Sequence, residues 1–409
     1  MAGCRFCGTT LRHTFVDLGM SPLCESFLTR EQTNQMEPFY PLHAYVCEKC
    51  FLVQVEEYVA PDRIFDEYAY FSSFSTAWLS HASSYVDMIV SRLALDARSQ
   101  VVELGSNDGY LLQYFVQKAI PVLGVEPAAN VAAAAMKKGV ATTTDMFSRE
   151  TAQRLVAEGK TADLIIGNNV LAQVSDLNGF VAGMKSLLKP HGVITLEFPH
   201  LMRLIDENQF DTIYHEHFSY FSFLTVERIF AAQGLTLFDV EELWTHGGSL
   251  RIYARHDDDD RPIAARVGSM RTREIQAGLE TLERYSQFTE RVHETKRRLL
   301  DFLITAKRDG KTIAAYGAPG KGNTLLNYCG IRSDFVDYAV DRNPYKHGRF
   351  LPGTHIPVFH PERLKETRPD YVLILPWNLK HEIIAQLGGE IRAWGGQFVV
   401  PIPEVRVYL

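Results

Sequence analysis

The chain has 409 residues, of which 46% are hydrophobic and 22% charged, as expected for a globular protein of roughly two to four domains. Its 42 basic and 49 acidic residues give a net charge of −7. No run of about five or more basic residues occurs, which argues against nucleic-acid partners. An apolar stretch of about 18 residues and an apolar signal core are both missing, so we expect a cytoplasmic protein without a membrane partner.

The first section of the chain, residues 1–70, is rich in turns and carries two CxxC motifs. Their cysteines are Cys4, Cys7, Cys47 and Cys50. Two such pairs suit the tetrahedral coordination of one zinc ion. A site with four cysteine ligands keeps no open position for water or substrate, so the zinc would be structural. Disulfides are rare in the cytoplasm, so structural disulfides are not expected. Redox-active pairs and free thiols are the alternative interpretations of the four cysteines.

The second section, residues 71–260, is predicted to be an α/β domain because helical and strand patterns alternate along it. Apolar residues at helical spacing follow Ser75, and the predicted strands cover 101–105, 122–127, a short stretch near Val140, 163–169, 192–199, 235–243 and 249–256. Only the sequence WTHGG joins the last two strands, and it is too short for a parallel crossover. We expect a mostly parallel sheet with an antiparallel last strand. This shape resembles that of methyltransferases that use S-adenosylmethionine.

The turn after the first predicted strand has the sequence VVELGSNDGYLL, in which Glu103, Gly105 and Gly109 match an E-x-G-x-x-x-G pattern. The glycines let the backbone approach a ligand closely. Asn107 and Asp108 suit the amino and carboxylate groups of a methionine moiety better than a pyrophosphate. The G-x-G-x-x-G turn of dinucleotide-binding proteins is a different pattern and the alternative interpretation. We predict that this turn binds S-adenosylmethionine.

Polar residues at the ends of the next strands extend the predicted cofactor site. Glu126 lies about twenty residues after the turn, where a carboxylate can accept both ribose hydroxyls. Asp145 follows the third strand and is predicted to contact the adenine amino group. Asn168 and Asn169 end the fourth strand, at the carboxyl edge where open α/β sheets bind ligands.

The third section, residues 261–409, begins with long helices up to residue 309 and continues as a second α/β unit. Its loop GAPGKGN (317–323) is similar to a P-loop, but glycine follows Lys321 where a P-loop has the Ser or Thr that holds Mg²⁺. Backbone N–H groups of the loop could still cradle a diphosphate, with charge from Lys321 and a further contact from Asn323. A close-packed turn is the alternative interpretation. The helix is predicted to start after this loop, at Thr324.

The motifs VELGSNDG, IYHEHFSYFS, HGGSLR, YGAPGKGNTLLNYCGI and PGTHIPV accompany the paired CxxC module. With them the chain resembles, over essentially its whole length, the sugar C-methyltransferases that act on nucleotide-linked 4-keto-deoxysugars. The resemblance implies a zinc module, a central Rossmann-like domain for S-adenosylmethionine and a C-terminal Rossmann-like domain that helps hold the nucleotide sugar. It further implies that a base removes the proton beside the C4 ketone, usually at C3. The enolate then attacks the methyl group of S-adenosylmethionine, giving a branched deoxysugar.

The same resemblance assigns residues to the substrate site. The family's Tyr-x-Glu-His motif corresponds to Tyr214, Glu216 and His217, with His217 as the base and the other two as substrate contacts. Tyr70 corresponds to a tyrosine that contacts the sugar. Where some relatives carry a histidine near the ketone, this chain has Gln173, which can donate a hydrogen bond but carries no charge.

Two further histidines lie near these positions. His246 belongs to the WTHGG turn, where glycines allow close approach to a ligand, so we expect it near the substrate. His215 has no predicted role. If TIYHEHFSYFS (212–222) is extended, Tyr214 and Glu216 share one face while His215 and His217 share the other. The triplet HEH lacks the HExxH spacing of a helical zinc site, so we expect no metal there.

Three other functions compete with sugar C-methylation. They are O- or N-methylation of a similar sugar, nicotinamide-dependent oxidation or reduction, and nucleic-acid binding by a zinc protein. The acidic net charge disfavours the last of these. We expect a monomer whose partner is a nucleotide-linked keto-deoxysugar.

Overall fold

The computed structural model describes residues 2–60 and 71–409, so the predicted sugar contact Tyr70 lies outside the described residues. The strands in chain order are β1 (His13–Ser21), β2 (Tyr40–Val46), β3 (Val53–Val55), β4 (Val101–Leu104), β5 (Val122–Val125), β6 (Thr142–Thr143), β7 (Ala162–Asn168), β8 (Leu188–Pro199), β9 (Ser219–Tyr220), β10 (Leu235–Leu243), β11 (Ser249–His256), β12 (Ile313–Tyr316), β13 (Tyr338–Val340), β14 (Val358–Phe359), β15 (Tyr371–Ile374), β16 (Gln397–Val400) and β17 (Arg406–Tyr408). The α-helices are α1 (Thr76–Leu93), α2 (Leu112–Gln117), α3 (Ala129–Lys137), α4 (Arg149–Ala157), α5 (Leu177–Leu187), α6 (Leu201–Asp206), α7 (Phe223–Ala232), α8 (Ala265–Gln276), α9 (Leu282–Ser286), α10 (Phe288–Arg308), α11 (Gly320–Cys329), α12 (Arg363–Thr367) and α13 (Lys380–Ala393).

The central sheet has the strand order β10-β11-β8-β7-β4-β5-β6. Strands β4 to β8 pair in parallel, whereas β11 is antiparallel to both of its neighbours, β8 and β10. This confirms the predicted mostly parallel sheet, because the short WTHGG connection leaves β11 no room for a crossover. The sequence TT at 142–143 forms the short strand expected near Val140.

The N-terminal section forms an antiparallel sheet of order β1-β2-β3-β9. Its last strand comes from a distant part of the chain: Val53 and Gln54 of β3 pair with Tyr220 and Ser219 of β9. The sheet of the zinc module is therefore completed by residues that directly follow the predicted base, His217.

The C-terminal sheet has the order β14-β13-β12-β15-β16-β17 and is parallel apart from β17. The helices predicted between 263 and 309 are three, α8, α9 and α10. Helix α11 begins at Gly320, inside the stretch predicted as a loop, so the predicted start at Thr324 is wrong. Pro319 precedes this first turn with extended backbone, as proline permits at a helix start. Lys321 and Asn323 therefore lie on a helix.

One hydrophobic core runs through the N-terminal sheet, α6, α10 and the C-terminal sheet, as shown by the shared cluster of Val53, Leu201, Leu299, Ile313 and Trp377. Each large apolar side chain buried in it contributes about 1.5–3 kcal/mol. The first and third sections are thus packed on each other as well as on the central one. No helix among the described residues is long and apolar enough to cross a membrane.

Candidate functional site

The four cysteines of the CxxC motifs form one cluster, in which all sulfur atoms lie within 4.8 Å of one another. The Sγ atoms of Cys4 and Cys50 are 3.5 Å apart, as are those of Cys7 and Cys47. A tetrahedral zinc site with Zn–S bonds of about 2.3 Å needs sulfur separations of about 3.8 Å, so the cluster fits zinc with a small expansion. All four positions would be taken by protein, which is the arrangement of a structural site.

The zinc module is tied to the segment that carries His217. The guanidinium of Arg5, one residue after Cys4, donates hydrogen bonds to the carbonyl oxygens of Phe218 (2.8 Å) and Val55 (3.0 Å). The same guanidinium lies 5.4 Å from the ring centroid of Phe218. These contacts link the first cysteine pair directly to the residue that follows His217.

The predicted cofactor turn adopts left-handed backbone at Gly105 (φ 65°), Asn107 (φ 48°) and Gly109 (φ 72°). A Cβ at Gly109 would also lie 3.0 Å from a methyl group of Val140, so only glycine fits there. Glu103, in the strand before the turn, is fully buried, and burial raises its pKa well above the ordinary value. The turn thus has the tight geometry expected of a ligand-binding loop.

The acidic residues of the turn region are held by neighbouring groups. The carboxylate of Glu126 accepts hydrogen bonds from the backbone N–H groups of Asn107 and Ala128, both at 2.9 Å. The carboxylate of Asp108 lies 3.0 Å from the Lys138 ammonium, while its other oxygen is buried without a hydrogen-bond partner among the described residues. An unpartnered buried oxygen beside a glycine turn fits the ammonium group of a methionine moiety.

The residues predicted to surround the adenosine part differ in their surroundings. Asp145 is about half exposed and accepts hydrogen bonds from Thr143 and Arg154. Its predicted adenine contact would have to compete with this ion pair. Asn168 donates to the hydroxyl of Tyr110 at 3.3 Å.

Asn169 connects the cofactor region to the WTHGG turn. Its Nδ2 atom lies 3.0 Å from Nε2 of His246, and its Oδ1 atom is buried without a partner among the described residues. His246 has left-handed backbone (φ 54°), which is uncommon for a residue with a side chain and occurs preferentially at functional sites. A Cβ on the next residue, Gly247, would lie 2.6 Å from the indole ring of Trp377, so glycine is required there.

The segment with the predicted base is a turn and not a strand. The backbone N–H of His217 donates to the carbonyl of Tyr214 at 3.0 Å, and the two rings lie 4.3 Å apart between centroids. The argument that Tyr214 and Glu216 share one face held only for an extended segment, so it does not apply to this turn. The strand begins only at Ser219, because pairing with β3 starts there.

Glu216 and His215 leave the turn in other directions than His217. The thiol of Cys24 donates to the buried Glu216 carboxylate at 3.5 Å, and burial together with the nearby Glu25 raises the pKa of Glu216 to about 8. Nε2 of His215 lies 3.1 Å from the carbonyl oxygen of Pro41. His215 therefore has a structural contact with the zinc module. The HEH triplet gathers no metal-ligand set among the described residues.

His217 itself is buried beside two other basic groups. Burial is the main cause that lowers its pKa to about 3, and His246 and Lys321 act in the same direction. The backbone of Thr212 acts in the opposite direction. Burial likewise lowers the pKa of His246 to about 4. Both imidazoles are thus neutral at pH 7, and the acceptor nitrogen of His246 is the one that faces the amide of Asn169.

Lys321 is held by two side chains, and a third fixes one of these; the sequence reasoning identified none of the three. Its Nζ donates to Oδ1 of Asn378 at 2.9 Å and lies 4.7 Å from the ring centroid of Trp377. The indole N–H of Trp377 donates to the buried carboxylate of Asp211 at 2.7 Å. Burial raises the pKa of Asp211 to about 7, against the opposing charge of Lys321. The sequence PWN at 376–378 ends a strand of the second α/β unit, which was the available signal.

The glycine loop before Lys321 has little free capacity for a phosphate. The backbone N–H of Ala318 donates to the Asp341 carboxylate at 2.7 Å, and Glu25 faces the backbone N–H of Gly320. Asn323 is turned away from the loop and donates to the carbonyl of Cys24 at 2.6 Å. The structure thus fills the predicted anion cradle with the protein's own carboxylates.

An aromatic and charged wall on helix α1 was also missed by the sequence reasoning. The ring of Trp78 lies 5.1 Å from His81, 5.9 Å from Tyr110 and 5.4 Å from His246. Nε2 of His81 lies 2.9 Å from the buried Glu197 carboxylate. The i, i+3 spacing of Trp78 and His81 on a predicted helix was the signal, since such residues share a face.

The position of Gln173 relative to His217 follows from one backbone contact. The N–H of Phe218 donates to the carbonyl of Ala172 at 2.7 Å, so the residues on either side, His217 and Gln173, lie in neighbouring segments. A cavity of about 350 Å³ lies next to Trp377 and Gly247, and both basic (Arg203, Lys380) and acidic (Glu207, Glu242) side chains line it.

Comparisons with known proteins match every section of the chain. Residues 4–65 match the family described as "Putative zinc binding domain", residues 78–240 match "Methyltransferase domain", and residues 244–403 match "C-methyltransferase C-terminal domain". Over 404 residues the chain is 36% identical to the C-methyltransferase NovU of Streptomyces niveus, and the alignment covers 99% of this chain and 96% of NovU.

Solved structures show a more distant likeness. The PH0226 protein of Pyrococcus horikoshii OT3 is 16% identical, with 49% of this chain and 99% of that chain covered and a TM-score of 0.38. Magnesium protoporphyrin IX methyltransferase of Synechocystis PCC 6803, solved with bound SAM, is 14% identical, with the same coverages and a TM-score of 0.35. Scores this low carry no argument about the chemistry of this chain.

Proposed function

Because this chain belongs to the S-adenosylmethionine-dependent C-methyltransferase family, we propose that its acceptor is carbon C3 of a nucleotide-linked 4-keto-6-deoxysugar. Use of S-adenosylmethionine, transfer to carbon and the zinc module agree with the sequence predictions and are confirmed. The oxidoreductase and nucleic-acid alternatives are thereby set aside. The sugar and its C3 position are the proposal, which rests on the motif resemblance and on the chemistry of the site.

In the proposed reaction, the free nitrogen of His217 takes the proton from C3. The electron pair of the C3–H bond forms the C3=C4 bond, and the carbonyl π pair moves onto the C4 oxygen. In the next step this pair returns to re-form the carbonyl, and C3 forms the new bond to the methyl carbon. S-adenosylmethionine supplies that methyl group as a sulfonium, whose C–S bond breaks with its electron pair going to sulfur.

The observation that carries this proposal is the neutral, buried His217 in a cluster with His246 and Lys321. A base for a ketone α-proton must present a lone pair at neutral pH in a site that excludes water. The lowered pKa keeps the His217 ring neutral at pH 7, although it also makes the ring a weaker base. The contact of His246 with Asn169 brings this cluster to the carboxyl edge of the sheet that carries the cofactor turn.

For the cofactor, we assign the methionine part to the turn at 105–109, with the unpartnered oxygen of Asp108 for its ammonium group. Glu126 is assigned to the ribose. Both of its oxygens already accept one backbone hydrogen bond, and a carboxylate oxygen can accept a second from a hydroxyl. Asn168 and Asn169 are assigned to the remaining edge of the pocket. Asp145 fits the adenine only if it leaves its ion pair with Arg154.

For the nucleotide, the cavity beside Trp377 offers the required chemistry. Lys380 and Arg203 line its walls, where Arg203 is ion-paired with Glu207 and Glu242, and the indole of Trp244, which is 63% exposed, offers a stacking surface for a base. The cavity is next to Gly247, the neighbour of His246, so a sugar joined to a nucleotide there would reach the base.

The test is hydrogen exchange at C3. The protein is incubated in D₂O with S-adenosylhomocysteine and a panel of dTDP- and GDP-linked 4-keto-6-deoxysugars, and loss of the C3 proton signal is followed by NMR. With S-adenosylmethionine, the new methyl carbon is located in the product. We expect exchange and a methyl on C3 for at least one sugar. A methyl on oxygen or nitrogen without exchange would refute the proposal, as would no reaction with any member.

A further inference from the structure

We infer that Lys321 is a catalytic residue of this reaction, whose ammonium group binds the C4 oxygen of the sugar and stabilises the enolate. This assignment rests on the proposed function and replaces the predicted role of Lys321 as a diphosphate ligand. It also supplies the charged donor that Gln173 cannot be.

The first argument is the direction in which Lys321 extends. It lies on the first turn of α11, but its Nζ reaches the PWN corner, where it bonds Asn378 and rests on the ring of Trp377. That ring packs within van der Waals distance of Gly247, the neighbour of His246. The ammonium group therefore faces the WTHGG turn and the segment of His217, not the glycine loop.

The second argument is that the glycine loop does not need Lys321 as an anion-binding group. The amides of Ala318 and Gly320 face the carboxylates of Asp341 and Glu25. The ammonium group of Lys346 balances that negative charge. Its Nζ lies 3.4 Å from Glu25 and donates to the Ala318 carbonyl at 2.8 Å. A diphosphate placed there would meet two carboxylates. The arrangement therefore closes the loop with charges from this chain.

The third argument is electrostatic. Enolate formation moves a full negative charge onto oxygen, and preorganised donors at that oxygen are usually the largest single contribution to such reactions. Among the described charged groups of this cluster, both imidazoles are neutral at pH 7, so Lys321 provides the cation. Burial lowers the pKa of Lys321, which strengthens its hydrogen-bond donation as the oxygen becomes more basic. Asp211 opposes that shift and so favours the ammonium form.

The fourth argument concerns the position of the ammonium group. Two contacts hold it, the Asn378 oxygen and the face of Trp377, and the Asp211 carboxylate fixes that indole by accepting its N–H. Nζ has three donors and spends one on Asn378, so two remain for the substrate. A site that stabilises an anionic oxygen in the transition state needs a donor that is fixed in position and still has hydrogen-bonding capacity.

The experiment compares Lys321→Met with the wild-type protein in two assays. The first is C3 exchange in D₂O with S-adenosylhomocysteine, at saturating keto-sugar. The second is calorimetric binding of dTDP or GDP alone, which has the diphosphate but no ketone. We expect exchange to fall by about 10²–10³-fold, while the Kd of the nucleoside diphosphate changes less than about twofold. Lys311→Met, on an exposed lysine paired with Asp370, is the matched control and should match wild type in both assays.

Two results would overturn the inference. One is wild-type exchange by Lys321→Met, and the other is a loss of nucleoside diphosphate binding as large as the loss of exchange, which would restore the diphosphate role. Lys321→Gln, which keeps a donor for Asn378, serves if the methionine variant does not fold, and it should show the same split. If the wild-type protein itself exchanges no C3 proton, the proposed function fails, and this outcome is distinct from a failure of the Lys321 assignment.

Discussion

Replacing His217 by asparagine tests the proposed base most directly. The amide of asparagine keeps a polar donor and acceptor, but it has no basic lone pair. The turn should therefore keep its shape while the proton acceptor is lost. A positioned general base contributes about 10²–10⁴-fold to a rate, which corresponds to about 3–5 kcal/mol of transition-state stabilisation.

The structure also explains why His217 must work in concert with its ligand. A fall in the pKa from 6.5 to about 3 disfavours the imidazolium by about 5 kcal/mol in the ligand-free site, because of burial and the charges of His246 and Lys321. At pH 7 only about one molecule in 10⁴ is protonated there. In the proposed reaction, the negative charge that develops on the sugar oxygen beside Lys321 would offset this penalty as the proton moves. We therefore expect base strength to appear only with the keto-sugar bound.

The assay is C3 exchange in D₂O together with calorimetric binding of S-adenosylmethionine. His217→Asn should lower exchange by at least about 100-fold and leave cofactor affinity within about twofold. His215→Asn is the matched control, because that residue lies in the same turn but contacts Pro41. The reasoning is refuted if His217→Asn exchanges at the wild-type rate, or if both variants lose exchange equally.

Three further changes probe the surroundings of this base. Arg5→Met removes the charged hydrogen bonds to the carbonyl oxygens of Phe218 and Val55. The free energy of unfolding in urea should therefore fall by about 2–4 kcal/mol, and C3 exchange should slow. The zinc content should stay at one ion per chain. Asp211→Asn removes a carboxyl whose folded-state pKa, about 7, exceeds the unfolded value of 3.8, so the wild type should lose more stability than the variant as pH rises. Between pH 5 and pH 8, the free energy of unfolding in urea should therefore fall by about 3 kcal/mol more for the wild type than for the variant. Gly247→Ala should lower exchange at least tenfold, because φ of 89° and the 2.6 Å contact force the Trp377 ring to move.

Each of these changes has its own control or contrary result. Arg12→Met, on an exposed arginine of the same module, should leave stability and exchange unchanged. A stability difference between Asp211→Asn and wild type that does not vary with pH would show that Asp211 is not a buried acid with a raised pKa. Gly268→Ala, in α8 with open space around the glycine, should keep full exchange, and equal effects of Gly268→Ala and Gly247→Ala would contradict the steric argument.

The features that the sequence predicted well are carried by short stretches of chain. The order and directions of the central strands follow from alternating patterns and from the five-residue WTHGG connection, and the cysteine cluster follows from two CxxC pairs. In each case the relevant geometry is fixed by neighbours in sequence, such as the left-handed turn at Gly105 and Gly109. Local pattern is sufficient there.

What sequence reasoning missed depends on contacts between distant segments. Strand β3 pairs only with Ser219 and Tyr220, so the preceding residues Tyr214 to His217 are free to form a turn. The alternating aromatic residues of the sequence do not reveal where this pairing begins. The glycine loop was predicted to bind an anion because the motif GAPGKGN does not indicate its contact with Glu25, which lies nearly three hundred residues earlier in the chain. The cluster of Lys321 with Asp211 and Trp377 joins two sections for the same reason.

The pairing of β3 with β9 has a consequence for the order in which the protein folds. Arg5 and the carbonyl of Phe218 that it binds are 213 positions apart. During synthesis, the first module therefore reaches its final form only after most of the central section has been translated. Contacts of such long sequence separation slow folding. Until β9 arrives, the outer edge of β3 carries unpaired backbone groups, and such edges are prone to pairing with other chains. We expect the nascent N-terminal module to be the part of this protein that most needs protection from aggregation.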